Sequence, residues 1–138
     1  MASYQERFSF KLSEGEVKNI DVEINKAIEK SAVRNGICSI FAIGSTAAII
    51  TTEYEEGHIK DLLSSLELIA PSNKDYEHHK AWHDDNGRSH VRAAFLQQDL
   101  TMPVSNGKLV KGTWQNICLI NLDTRDRERE IIVTIVGE

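Results

Sequence analysis

Histidine and carboxylate residues are concentrated in one stretch of the sequence, residues 75–90, which reads DYEHHKAWHDDNGRSH. Four of the five histidines fall inside it, at His78, His79, His83 and His90. Histidine changes charge near neutral pH and is the commonest metal ligand, so its clustering with carboxylates indicates metal coordination, proton transfer or phosphate binding. A hydrophobic core does not require this mixture. The stretch is therefore the leading candidate for a functional site.

Two histidines and one carboxylate of this stretch suit a divalent metal ion. We take His78, His90 and Asp85 as candidate metal ligands, with Glu53 as an alternative carboxylate. Two neutral imidazoles with a carboxylate favour zinc or another borderline ion, whereas a site made only of carboxylates favours magnesium. His79 and His83 are weaker candidates, because adjacent residues of an extended chain point in opposite directions. The alternative is a polar loop whose histidines are satisfied by backbone groups and water, and the sequence leaves open which histidines meet.

Composition narrows the class of protein. A chain of 138 residues predicts one domain, residues 1–138, that buries a core without disulfides. The net charge of -5 argues against a nucleic-acid partner, which requires a basic face. The two cysteines, Cys38 and Cys118, lie in separate apolar segments and are predicted to be buried free thiols in a reducing compartment. With no apolar run long enough to span a membrane and no signal-peptide pattern, we expect a cytoplasmic protein without a membrane partner.

The periodicity of apolar residues predicts an α+β domain with mixed, largely antiparallel β-sheets and two main helices. Helical spacing occurs over residues 24–32 and 59–69, the second segment ending before Pro71. Alternating or β-branched runs predict strands at residues 8–12, 17–22, 37–43, 47–52, 100–104, 113–122 and 131–136. The histidine-rich stretch between the second helix and Val91 is predicted to be a functional loop, and the strand character resumes at Val91.

Two further polar segments could bind an anion. Ser45 and Thr46 follow a glycine between two predicted strands, where backbone amides and hydroxyls reach the surface; a simple tight turn is the alternative. Arg125 and Arg127 lie in residues 123–130, where seven of eight residues are charged. That run is either a solvated, ion-paired hairpin or a source of guanidinium groups for an anion.

The sequence GTWQ at residues 112–115 combines a glycine, an aromatic residue and an amide that can both donate and accept hydrogen bonds. In a strand, Gln115 points to the face opposite Trp114. If Trp114 packs inward, Gln115 therefore faces outward or into a subunit interface.

Several motifs carry a family resemblance that covers most of the chain and is strongest after residue 76. They are YEH at residues 76–78, Trp82, DNG at 85–87, SH at 89–90, VRA at 91–93, NG at 106–107, GTWQ at 112–115, and Asp123, Arg125 and Arg127. In order and spacing they resemble the secondary thiamine-phosphate synthases, a family of short bacterial and archaeal proteins. Residues 44–46 stand where many members have His-Thr-Thr. This chain therefore has Gly44 in place of the histidine that begins that segment.

The resemblance implies an α+β domain assembled as a homotrimer, with the polar motif near a subunit boundary. It also implies a transferase activity in thiamine biosynthesis, which joins hydroxymethylpyrimidine diphosphate to thiazole phosphate and releases pyrophosphate. For that reaction His78 and His90 would act as metal ligands or as proton-bearing electrophiles. Asn86 and Gln115 would orient the heterocycles.

The phosphorylated substrates assign a role to the remaining polar residues. Arg125 and Arg127 would hold phosphate oxygens, Ser45 and Thr46 would donate hydrogen bonds to them, and zinc or magnesium would bridge the diphosphate. A non-enzymatic alternative is a trimeric metal- or anion-binding protein of unknown ligand. Replacement of His78, His90 or Arg125 would abolish turnover in an enzyme, whereas loss of a structural metal would weaken assembly or stability.

Overall fold

The computed structural model describes all 138 residues as eight strands and four helices. In chain order these are β1 (Ala2–Leu12), β2 (Val17–Asn19), α1 (Asp21–Ser31), β3 (Gly36–Ile43), β4 (Ala47–Thr52), α2 (Glu56–Ile69), α3 (Glu77–Trp82), α4 (Gly87–Leu96), β5 (Asp99–Ser105), β6 (Lys108–Leu109), β7 (Asn116–Asn121) and β8 (Arg127–Gly137). The predicted α+β class with antiparallel sheets is confirmed. None of the four helices is long and apolar enough to cross a membrane.

The strands form two antiparallel sheets. The larger sheet has the order β1-β8-β3-β5-β6, and the smaller sheet has the order β2-β7-β4. In β8, Ile131, Val133 and Ile135 are fully buried because side chains alternate between the two faces of a strand. The main core lies between the inner face of the larger sheet, one face of the smaller sheet and the buried side of α1.

The smaller sheet is covered on both faces, so its central strand is apolar along nearly its whole length. Ile117 and Leu119 of β7 contribute to the main core, whereas Cys118 and Ile120 belong to a second cluster. That cluster also contains Leu66 of α2 and Ala93 of α4, together with Val17, Ala48 and Leu122. Both cysteines are free and buried, as predicted, and burial raises the pKa of each thiol to about 12.

Two helices occupy the stretch that was predicted to be a loop followed by a strand. The two predicted main helices correspond to α1 and α2, and two further helices, α3 and α4, lie between α2 and β5. The buried residues of α4 include the polar Ser89 and Arg92, whereas Phe95 is 66% exposed. Since polar residues face inward and an aromatic residue faces outward, hydropathy does not reveal the helical period here.

Arg92 fixes α4 against the end of α2. Its guanidinium donates to the Ala70 carbonyl from Nε at 3.0 Å and from Nη2 at 2.7 Å, and to Glu67 Oε2 at 2.7 Å. Glu67 also accepts hydrogen bonds from the backbone and side chain of Ser72, which begins the connection to α3. Arg92 thereby holds α4 against the end of α2, where the connection to α3 begins.

Candidate functional site

The imidazoles of His78 and His90 meet in the structure. His78 lies in the first turn of α3 and His90 in the first turn of α4, with ring centroids 4.6 Å apart and ring planes tilted by 36°. Gly87 permits this approach, since a Cβ atom there would lie 2.7 Å from Cβ of Tyr76 and 3.3 Å from Cβ of His78. The close contact of α3 with α4 therefore requires glycine at this position.

Asp84 orients the first imidazole. Its Oδ1 lies 2.9 Å from Nδ1 of His78, so Nε2 of His78 is left free for another partner. The chain reaches this position through His83, which ends α3 with a left-handed φ of 54°. Asp85, the predicted carboxylate ligand, instead accepts a hydrogen bond of 2.9 Å from the Thr124 hydroxyl. The structure thus places Asp84, rather than Asp85, beside the histidine pair.

The other two histidines of the stretch do not join the pair. His79 hydrogen-bonds the backbone carbonyl of Asp84 through Nδ1, and His83 is the capping residue that follows the last residue of α3. The side-chain amide of Asn86, at the start of α4, lies between the carboxylates of Asp84 and Asp123. In the amide orientation that satisfies both of its atoms, the nitrogen lies 3.1 Å from Oδ1 of Asp84.

The surroundings of His90 favour its neutral form. Partial burial lowers the pKa of His90, and the neighbouring His78 lowers it further, while the carboxylates of Asp123 and Asp84 oppose the shift. A neutral imidazole keeps a lone pair that can accept a proton or coordinate a metal ion. His90 can therefore perform either function near neutral pH.

Asp123 is a buried carboxylate beneath the pair, with 1% of its surface exposed. It accepts hydrogen bonds from Thr124 N–H at 2.7 Å, from Nε of Arg127 at 2.9 Å and from the Thr46 hydroxyl at 3.1 Å. Burial raises the pKa of Asp123, but these hydrogen bonds outweigh that effect and lower it overall. Asp123 is therefore an anion that holds together the polar segments around the site.

The four residues predicted to bind phosphate do not converge on one anion site within the chain. Thr46 and Arg127 are already engaged by Asp123. Arg125 is exposed, and its backbone carbonyl accepts a hydrogen bond from Asn121. Ser45 alone of the four lines the cavity next to His90.

Arg129 is a buried residue of the site that the sequence patterns did not predict. It is 5% exposed, and its Nη2 donates to Asn121 Oδ1 at 2.7 Å, to the Thr46 carbonyl at 3.0 Å and to the Thr46 hydroxyl at 2.6 Å. It lay inside a charged run that was predicted to be either solvated or anion-binding. The signal that could have revealed it is strand parity, because Arg129 shares the inward face of β8 with Ile131.

The predicted amide of the site, Gln115, lies elsewhere in the chain. Its Oε1 accepts a hydrogen bond of 2.7 Å from Gly112 N–H, which closes a turn before β7. The neighbouring Trp114 is 71% exposed and does not pack inward. Residue 115 precedes β7, whereas Asp123 follows it, so about 16 Å of extended strand separates Gln115 from the histidine pair.

An open cavity of about 430 Å³ lies beside His90. Its wall contains no charged side chain and combines apolar with hydrogen-bonding groups: Phe41, Ala42, Gly44, Ser45, His90, Ala94, Gln97 and Gln98. Such a mixture of apolar surface and a few polar groups is typical of small-molecule sites. The cavity therefore gives a ligand access to one imidazole of the pair.

The donor chemistry suits a borderline divalent ion, but one chain supplies only part of a coordination shell. His78 and His90 provide two imidazoles, and Asp84 hydrogen-bonds the ring of His78, as carboxylates commonly do with histidines at metal sites. No group of three histidine, cysteine, aspartate or glutamate side chains in the structure is arranged to enclose a metal ion. The remaining ligands of such an ion would have to come from outside the chain.

Comparison with known proteins identifies the relatives. The family model described as "UPF0047 protein YjbQ-like" matches residues 6–138. A UPF0047 protein of Methanothermobacter thermautotrophicus is 37% identical over 123 residues, covering 89% of this chain and 84% of the relative. A UPF0047 protein of Archaeoglobus fulgidus is 31% identical over 118 residues, covering 86% of this chain and 89% of the relative.

Solved structures show the same fold. A YbjQ-like protein of unknown function from Sulfolobus solfataricus superposes with a TM-score of 0.88 at 37% identity, covering 99% of both chains. An uncharacterised YjbQ/UPF0047 protein from Clostridium acetobutylicum gives a TM-score of 0.86 at 28% identity, covering 95% of this chain and 99% of the other.

These matches correct the family prediction. The predicted assignment to the secondary thiamine-phosphate synthases is wrong, because the matching family is UPF0047. The predicted transferase activity and role in thiamine biosynthesis are wrong with it, since the solved YbjQ-like relative is a protein of unknown function. The alternative of a non-enzymatic trimeric binding protein gains no support from the relatives either. The chain belongs to the YjbQ-like UPF0047 family.

Proposed function

We propose that this protein binds a divalent metal ion through the imidazoles of His78 and His90, with zinc or a similar borderline ion preferred over magnesium. The observation that carries the proposal is the pairing of the two rings, 4.6 Å between centroids, with Nδ1 of one ring held by Asp84. This hydrogen bond leaves Nε2 of His78 as the ligating atom. Zinc accepts such nitrogen donors, whereas magnesium prefers oxygen.

The protonation state of His90 supports the proposal. Only a deprotonated imidazole nitrogen can coordinate a metal ion. Burial and the adjacent His78 lower the pKa of His90, so the ring loses little free energy in giving up a proton before coordination. Asp84 adds a nearby negative charge without having to enter the coordination shell itself.

The open coordination positions are suited to a small ligand. Zinc usually has four ligands, and the two imidazoles leave two positions for another donor. The cavity of about 430 Å³ adjoins His90 and presents the Ser45 hydroxyl. A small phosphorylated molecule fits this setting, because its oxygens can both coordinate the ion and accept a hydrogen bond.

We also propose that the protein acts as a homotrimer in the cytoplasm. The outer face of the larger sheet exposes Ile37, Phe41 and Ile43 of β3 at 50%, 47% and 44%, and no helix covers them. Contiguous apolar surface of this kind is typical of subunit interfaces. The two free cysteines support a reducing compartment.

Calorimetric titration of metal-stripped protein with zinc and with magnesium tests the metal site. Zinc should bind more tightly than magnesium, and His78→Ala or His90→Ala should weaken zinc binding by about 100-fold or more, since each removes one of two imidazoles. Asp84→Asn should weaken it by about 10- to 100-fold, because the ring loses its orienting anion.

His83→Asn is the matched control. It removes a histidine from the same stretch, while asparagine tolerates the left-handed backbone at this position, where φ is 54°. Zinc affinity should stay at the wild-type value. Equal loss in the control and in His90→Ala, or wild-type affinity in both single replacements of the pair, would show that the ion binds elsewhere.

A further inference from the structure

Arg129 is a buried cation without an ion-pair partner. It is 5% exposed, and the groups that accept its hydrogen bonds, on Asn121 and Thr46, are neutral. The carboxylate of this network, Asp123, forms its salt bridge with Arg127 instead. Burial of a charge is costly unless an opposite charge compensates it. The chain therefore holds a positive charge whose compensating anion it does not supply.

One nitrogen of this guanidinium, Nη1, is free to bind another group. Nε donates to Asn121, and Nη2 donates to Asn121 and Thr46, whereas Nη1 donates to no group of the chain. Nη1 is also not sealed from solvent, because the only fully enclosed polar side-chain atoms without a partner are Glu23 Oε2 and Ser89 Oγ. The N–H groups of Nη1 are therefore available to an acceptor from outside the chain.

Nη1 lies against Gly44, which belongs to the wall of the cavity beside His90. A Cβ atom at residue 44 would lie 2.8 Å from Nη1, so a side chain there would occupy the space next to this nitrogen. The φ of Gly44 is 147°, a backbone conformation that also favours glycine. The lack of a side chain thus leaves a buried positive charge directly behind a wall that carries no charge of its own.

The loop between β3 and β4 adds backbone donors at the same place. The N–H groups of Gly44, Ser45 and Thr46 donate to no backbone carbonyl of the chain. The Ser45 hydroxyl lines the cavity. Neighbouring N–H groups of this kind carry fixed partial positive charges that attract anions. Together with Nη1 of Arg129, the loop offers several donors for which the backbone provides no acceptor.

The charge balance of the network also favours an anion. Arg127 and Arg129 contribute two positive charges, whereas Asp123 contributes one negative charge. The Thr46 hydroxyl links them, since it donates to Asp123 and accepts from Nη2 of Arg129. Burial lowers the pKa of Arg129, Asp123 opposes this shift, and Arg127 adds to it. A bound anion would compensate the positive charge that remains.

We propose that Nη1 of Arg129 and the N–H groups of residues 44–46 bind the phosphate group of a ligand whose other part occupies the cavity beside His90. Phosphate has three oxygens that accept hydrogen bonds from several directions, and guanidinium donors match them well. A carboxylate has only two oxygens and uses fewer of these donors. Contact of the same ligand with the metal ion rests on the proposed function, whereas the phosphate site does not require the ion.

Titration of metal-free, isotope-labelled protein with inorganic phosphate, followed by NMR, tests the site without any substitution. The amide resonances of residues 44–46 should shift to saturation and should shift more than those of any other segment. Acetate should bind about 10-fold more weakly, since a carboxylate engages fewer donors. Saturable shifts centred on another segment, or equal affinities for acetate and phosphate, would overturn the proposal.

Replacement of the buried arginine tests its role in binding. Arg129→Gln should weaken phosphate binding by about 10- to 100-fold, the effect of losing charge-assisted hydrogen bonds. Arg129→Lys keeps the charge but not the planar fork, so its affinity should lie between those of Arg129→Gln and wild type. Arg125→Gln is the matched control, because it removes the same charge from an exposed residue of the same charged run and should leave phosphate affinity unchanged. Equal losses in Arg125→Gln and Arg129→Gln would show an effect of net charge alone and would overturn the assignment.

The results also separate this inference from the proposed function. Saturable phosphate binding at residues 44–46 in a protein that does not bind zinc would support the phosphate site and remove the metal site. Zinc binding at the histidine pair without a saturable phosphate shift at residues 44–46 would overturn the phosphate site alone. If one ligand joins the two sites, zinc should strengthen phosphate binding and phosphate should strengthen zinc binding by the same factor.

Discussion

Gln97 has a backbone conformation that side-chain-bearing residues rarely adopt. It ends α4 with a φ of 73° and a ψ of 164°, in a region populated almost only by glycine. The conformation is held from both sides, since Gln97 N–H donates to the Ala93 carbonyl at 2.7 Å and its carbonyl accepts from Ile49 N–H at 3.1 Å. We predict that Gln97→Gly increases the stability of the protein.

The magnitude follows from two opposing contributions. Strain of this kind costs about 1 to 3 kcal/mol, and glycine removes it. Glycine loses more conformational entropy on folding, at a cost of about 0.5 to 1 kcal/mol. The side-chain hydrogen bond from Gln97 to the Ala94 carbonyl is exposed and contributes little. The net gain is about 1 kcal/mol in the free energy of unfolding, which raises Tm by about 3 to 5 °C for a domain of this size.

Chemical denaturation of three proteins would test this estimate. Wild type, Gln97→Gly and Gln97→Ala should be compared under the same buffer and protein concentration. Alanine loses the same side-chain hydrogen bond but keeps the steric strain, so its stability should equal or fall below that of wild type. A glycine variant no more stable than the alanine variant would refute the assignment of strain to Gln97.

Three further changes are expected to act through single contacts. Arg92→Met should lower the free energy of unfolding, measured by urea titration, by about 2 to 4 kcal/mol, because a residue that is 6% exposed loses its charge-assisted hydrogen bonds to the end of α2. A loss below about 0.5 kcal/mol would contradict this role. Gly87→Ala should weaken zinc binding, since the added Cβ would lie 2.7 Å from Cβ of Tyr76 and push α3 away from α4. An unchanged zinc affinity in calorimetry would show that the two helices accommodate the added methyl group. Glu67 has its pKa lowered from 4.5 to about 2 by hydrogen bonds from Ser72 and Arg92, so its stabilisation is present above pH 4.5 and is lost as the pH falls toward 2. The Tm difference between wild type and Glu67→Gln should therefore narrow between pH 6 and pH 2, and a constant difference would argue against this linkage.

The regular elements were predictable where one face of the element is apolar. Residues 59–69 show helical spacing and lie in α2, and residues 131–136 form the buried part of β8. In both cases burial of apolar side chains dominates the free energy, so the period of those side chains reports the local structure. The same reasoning correctly placed the two cysteines in the interior.

The prediction failed where polar residues occupy buried positions. Ser89 and Arg92 face the interior of α4, and Arg129 faces the interior of β8. Their burial is stabilised by specific partners, such as the Ala70 carbonyl for Arg92 and Asn121 for Arg129. Hydropathy assigns such residues to the surface, and the partner of Arg92 lies 22 residues away in the sequence, so α4 was predicted to be a loop and a strand.

The amino-acid sequence alone shows that histidines and carboxylates are concentrated in residues 75–90, and so predicts which chemical groups lie near the site. The folded structure is needed to see that His78 meets His90, that Asp84 rather than Asp85 contacts the pair, and that Gln115 lies beyond the far end of β7. The physical reason is that coordination and hydrogen bonding depend on distances of a few ångströms. Those distances are set by the packing of α3 against α4 and by the length of a strand, which residue type and spacing do not encode locally.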